Sequence, residues 1–133
     1  MAVGNTFGAT ALSSYGGFWI SFAIILTPGG FDIAAAYSGT GAGAYDLTNA
    51  LGFFLTGWFI FTTILLLCTL RSTVAFFLLF FTLDLVFLFL SLGYFYADKP
   101  ATSKHLTKAG GYFGLFAAFL AWYNALAGIA DDG

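Results

Sequence analysis

The chain has 133 residues, 60% of them hydrophobic, 21% aromatic and only 8% charged, with a net charge of −2. Its mean hydropathy is +0.93, and a domain this small has too much exterior for its volume to hide that much apolar surface. The composition excludes an ordinary soluble domain and points to an all-α fold, a polytopic membrane helical bundle.

Four runs, at about residues 8–26, 47–70, 73–93 and 110–130, can cross a hydrocarbon layer of about 30 Å at about 1.5 Å per residue. They are expected as four transmembrane helices, because lipid offers no water to satisfy an open backbone. The first grows out of an uncharged stretch, GNTFGATALSSYGGFW, at residues 4–19. No Lys or Arg precedes its apolar part, so it does not read as a secretory signal. Ala9, Ser13, Gly17 and Ser21 recur at helical spacing on one face. Such a face lets a second helix approach closely within a bilayer. Ser13, Ser14 and the Tyr15 hydroxyl are candidate polar groups for a small solute, and Asn5 and Thr6 at the helix mouth are candidates for solute entry or for capping. Thr27-Pro28-Gly29-Gly30 ends the run, since Pro and paired glycines do not extend a helix.

The next segment, FDIAAAYSGTGAGAYD, is a Gly/Ser-rich loop whose apolar beginning is expected to rest on the membrane surface. Asn49 is a candidate cap for the second span. Only Arg71, Ser72 and their neighbours join the second and third spans, so these two are expected as a tight antiparallel hairpin. Cys68, the single cysteine, excludes an internal disulfide and reads as a packing residue. Asp84 lies near the middle of the third span and no span carries a basic partner for it. An aspartate there costs about 2.5–3.5 kcal/mol on insertion scales, which marks it as a candidate intramembrane relay or interhelix bond. It points about 100° round the helix from Leu83.

Pro100 falls in the last loop, YADKPATSKHLTK. In the fourth span Gly110, Gly114 and Ala118, with Ala117, Ala121 and Ala125, form an expected packing face. Asn124 is expected to bond to a neighbouring helix for roughly 1 kcal/mol. Trp58, Tyr94, Tyr96 and Tyr112 are placed near span ends, where amphipathic rings favour the interface. His105 has no second ligand at metal spacing. Neither a metal nor a cofactor is expected, and no phosphate loop, nucleophile elbow or carboxylate pair suggests an enzyme. There is no basic patch for nucleic acid.

GNTFG followed by TALSSYGGFW resembles the signature of the acetate uptake transporter family, the acetate, ammonia and succinate permeases of fungi and bacteria. The resemblance continues through NALGFFLTGW at 49–58, CTLRSTVAFFLLFF at 68–81, and AGG with AWYNALAGIA within 109–130. Four separated segments thus agree in order and spacing over nearly the whole chain, in wording closer to the fungal members. The resemblance implies a six-helix fold of which these spans are the third to sixth. It also implies that the chain is a C-terminal fragment without the family's Asn-Pro-Ala-Pro-Leu-Gly-Leu motif and first two helices.

The same resemblance implies a homohexamer in the plasma membrane, multi-pass, with one solute pathway in each protomer. Tyr15 in SSYGGFW and Leu83 in FFTLDL match two constriction positions, and the third, a phenylalanine on the first helix, lies outside this chain. The implied function is transport of acetate and related short monocarboxylates, passive or proton-linked. The alternatives are export or sensing of ammonia or ammonium, and a structural tetraspan that carries no solute. No Lys or Arg lies in the spans, so an anion would rest on hydroxyls, amides and helix N-termini. Such a site is weak, as rapid conduction requires. The family topology places the Arg71 turn in the cytoplasm, whereas Lys99, Lys104 and Lys108 vote by charge for the opposite side. Four crossings put both chain ends on one side. Cysteines introduced at Ala2 and Asp132 should therefore react alike with an impermeant label on intact cells; labelling of one alone would break the four-span topology.

Overall fold

The structure is a computed structural model that describes residues 5–39 and 46–131; Ala2 and Asp132, the labelling positions, lie outside them. Among the described residues five helices occur in chain order: α1 (Thr6–Leu26), α2 (Ile33–Gly39), α3 (Asp46–Cys68), α4 (Val74–Phe95) and α5 (Pro100–Asp131). Four of these, all but α2, are long and apolar enough to cross a membrane. The chain divides into two units, Met1–Leu47 and Thr48–Gly133.

In the first unit, α1 begins where the Asn5 side chain caps it, Oδ1 accepting from the Gly8 amide at 2.8 Å. That satisfies one of the amides a helix start leaves without a partner. The helix ends at Thr27, whose amide and hydroxyl both donate to Ala23 O, at 2.9 and 2.7 Å. Gly29 and Gly30 then take positive φ, 78° and 80°, a region that side chains resist. Asp32 follows at φ 45° and accepts the Gly29 amide at 2.7 Å. The expected apolar start of the loop is the short helix α2, which touches α1. The remainder of that expected loop, residues 40–45, lies outside the described residues.

In the second unit, α3 and α4 form an antiparallel hairpin. Phe53 meets Phe95 edge to face at 5.1 Å, and Trp58 stacks on Phe87 at 6.4 Å. The reversal is made of short turns, Thr69 N to Leu66 O and Ser72 N to Thr69 O. Thr73 then caps α4 by accepting the Phe76 amide at 3.3 Å. Asn49, expected as a cap, lies instead inside the first turn of α3, which begins at Asp46. Cys68 is exposed at the end of α3 rather than packed. Trp58 sits in the middle of α3, between Phe61 and Phe87, not at an interface.

The last helix departs most from expectation. Pro100, placed in a loop by sequence, is the first residue of α5. Proline suits that position because its fixed φ matches a helix and its missing N–H would have no partner there anyway. The 32 residues of α5 extend about 48 Å, so its first turns, with Lys104, His105 and Lys108, exceed what the hydrocarbon needs. The helix runs antiparallel along all of α4: Ser103 Oγ donates to Gly93 O at 2.7 Å, Phe89 stacks on Phe113 at 5.5 Å, and Asn124 Nδ2 reaches Ala75 O at 3.3 Å. Gly110 faces Leu90, Gly114 faces Val86, and Ala117 is buried. Ala121 and Ala125, assigned to the same packing face, are exposed. At 100° per residue, a row of four drifts round the helix and leaves the contact within two turns.

Candidate functional site

The first set of sequence-selected residues lies on α1. Asn5 is its cap and Thr6 its exposed first residue. Ser13 is exposed and its hydroxyl donates back to Ala9 O at 2.6 Å, with Thr10 O at 3.3 Å. Ser14 and Tyr15 are half-buried, one turn before the buried Phe18. Of the small-residue row, Ser13 and Gly17 are exposed while Ala9 and Ser21 are half-buried, and the buried positions are Ala11 and Phe18.

The second set lies on α4, the middle helix of its unit. Asp84, Phe87 and Phe95 face α3; Val86, Phe89, Leu90 and Gly93 face α5. Asp84 and Gly93 are nine residues apart, about 180° round a helix. The three helices therefore stand in a row. Leu83 is about 100° from Asp84 and only about 20° from Leu90, which meets Gly110 of α5, so it stands partly buried on the α5 edge of one flank of the row. Phe76, Leu79 and Tyr94 fall on the same flank by helical spacing. Tyr15 belongs to the first unit and Leu83 to the second, and each is placed within its own.

Asp84 is only 9% exposed, and its Oδ1 is hydrogen-bonded with Thr63 Oγ1 of α3 at 2.9 Å. Thr63 was not singled out by sequence. The signal was present: Thr63 lies eight residues before the 71–73 turn and Asp84 eleven after it, within reach of each other across the hairpin. Asn124 is the other polar bridge, its Nδ2 donating to Leu120 O at 2.7 Å within α5 and to Ala75 O across to α4. Beside it an open groove of about 610 Å³ is lined by Thr73, Val74, Leu78, Leu120, Tyr123 and Ala127. It contains neither Leu83 nor Asp84 and opens on a different side of α4 from Leu83. Among the described residues, no cluster of three His, Cys, Asp or Glu side chains is placed to hold a metal ion.

Four membrane-length helices make this a multi-pass membrane protein. A model of the GPR1/FUN34/yaaH family matches residues 1–133, and the chain belongs to that family. It is 66% identical to acetate permease A of Emericella nidulans over 133 residues, 99% of this chain and 45% of the relative. It is 50% identical to ammonia transport outward protein 2 of Saccharomyces cerevisiae over 130 residues, 98% of the chain and 43% of the relative. With the acetate transporter protein patA of Aspergillus clavatus it shares 33% identity over 122 residues, 90% of the chain and 48% of the relative. The chain thus spans less than half the length of these relatives. No solved structure matches it.

Proposed function

We propose that the protein carries acetate and related short monocarboxylates across the plasma membrane, with Tyr15 of α1 and Leu83 of α4 as solute-path residues, each within its own unit. The observation that carries this reading is the 66% identity to an acetate permease over 99% of the chain, joined to four membrane-length helices. The physical features support it. No cation stands in the apolar lengths of α1, α3 and α4, so a monocarboxylate would be held weakly by hydroxyls and released quickly. The half-exposed Leu83 flank supplies apolar bulk for size selection, and Tyr15 contributes a hydroxyl to a carboxylate leaving water. Solute passage through each protomer of a homohexamer is the arrangement that the family resemblance suggests.

Ammonium is the second solute, favoured by the 50% identity to an ammonia transport outward protein. The test is uptake of labelled acetate by vesicles containing the purified protein. Acetate should accumulate well above empty vesicles, unlabelled acetate should compete, and ammonium should not. Competition by ammonium alone would transfer the assignment to ammonia. Intact oligomers with no flux of either solute would leave a structural tetraspan.

A further inference from the structure

We propose that Thr63 is the positioning partner of Asp84, and that the two, with the acid neutral, clamp α3 to α4 and thereby aim Leu83. The aiming of Leu83 rests on the transport reading above; the clamp itself does not. The inference starts from a count of hydrogens. The Thr63 hydroxyl has one, yet its oxygen lies 2.9 Å from Phe59 O and 2.9 Å from Asp84 Oδ1. Both contacts are full two-centre bonds only if the carboxyl supplies its own hydrogen to Thr63 Oγ1 while Thr63 donates to Phe59 O. An ionised Asp84 would take the threonine hydrogen and strip the Phe59 carbonyl of its extra bond. It would also stand in a buried site with one donor, where a carboxylate requires several or a cation.

No cation is near. Along α3 the titratable groups are Asp46 at its start and Cys68 at its end, and α4 holds no other charged residue. Alongside this part of α4, α5 runs from Gly114, opposite Val86, to Asn124, opposite Ala75. Tyr123 is the titratable side chain of that stretch, and it is exposed. Lys104, His105 and Lys108 lie beyond, toward Gly93 and Leu90.

Elsewhere the two helices meet through apolar groups such as Trp58 on Phe87 and Gly52 against the Phe95 ring. Apolar packing between helices in lipid has little directional preference, whereas a hydrogen bond fixes rotation and register. Because Asp84 is held toward α3, Leu83 one residue earlier is turned about 100° away from α3. The Thr63–Asp84 bond therefore sets the direction of the constricting side chain without itself touching solute.

The test uses Thr63→Ser, Thr63→Val, Asp84→Asn, Asp84→Leu and the Thr63→Val/Asp84→Leu pair in the purified protein, read by thermal melting and by the ratio of lactate to acetate uptake. Thr63→Ser and Asp84→Asn keep the same bonding inventory, since an amide N–H replaces the acid O–H. Both should melt and discriminate as the parent does, and Asp84→Asn should keep the parent's pH profile. Thr63→Val and Asp84→Leu should each lower the melting temperature by several degrees and shift the uptake ratio several-fold. The double variant should fall no further than the worse single, the signature of one shared interaction. Additive losses would overturn the clamp. A slow, pH-insensitive Asp84→Asn protein with intact melting would overturn it in favour of a proton relay. Coupled melting without flux of any solute would defeat the transport reading while supporting the clamp.

Discussion

Replacing Leu83 by Ala should admit bulkier carboxylates such as lactate and raise the lactate-to-acetate uptake ratio about tenfold. One methylene in an apolar selective contact is worth about 1–3 kcal/mol, and the substitution removes three carbons from the narrowest part of the proposed passage. Polarity barely changes, so acetate itself should still pass. The geometry makes this a clean experiment. Leu83 is half-buried and turned about 100° from Asp84, which bonds α3, so its truncation leaves that polar contact between the helices in place. Protein abundance and melting should therefore stay close to the parent's. An unchanged uptake ratio at normal abundance would remove Leu83 from the solute path.

The largest structural loss is expected at Gly93. A Cβ added there would lie 2.7 Å from Thr107 Oγ1, 3.4 Å from the Thr107 amide nitrogen and 3.6 Å from Ser103 O. Gly93 is also the acceptor for Ser103 Oγ at 2.7 Å. Gly93→Leu must therefore wedge α4 from the start of α5 and break the bond that ties them. Overpacking of this kind costs typically about 1–3 kcal/mol. Here it also separates two helices whose close approach is their main attraction in lipid. The variant should melt well below the parent and reach the membrane in reduced amount. Gly111, whose added Cβ would meet nothing within 4 Å, is the control: Gly111→Ala should be silent.

The four long helices were legible because apolar length is a direct physical requirement of a bilayer, and Pro28 with two glycines punctuates it clearly. Pro100 misled, because a proline in polar sequence reads as a loop when the same residue also opens helices. The alanine row at 117, 121 and 125 misled for a different reason. Spacing by four marks a face only over about two turns, and which face meets a neighbour depends on a partner that one helix does not reveal. Asp84 stood out at once, since a lone acid among apolar residues is conspicuous. Its partner did not, because a threonine in a membrane helix usually bonds its own backbone, as Thr56 does to Gly52 O. Only the register of the hairpin separates Thr63 from the others.

The row of three helices has a consequence for how freely the chain can vary. α4 is read by a neighbour on each side and by the Leu83 flank, so most of its positions answer to more than one requirement at once. The far side of α5 answers to one. Phe119, Trp122, Tyr123, Leu126 and Ile129 are exposed, Trp122 to 68% and Ile129 to 76%, and whatever apolar medium meets them asks only that they not be charged. Drift should therefore accumulate on α5 as exchanges of one greasy side chain for another, while α4 changes slowly and in step with its flanking helices.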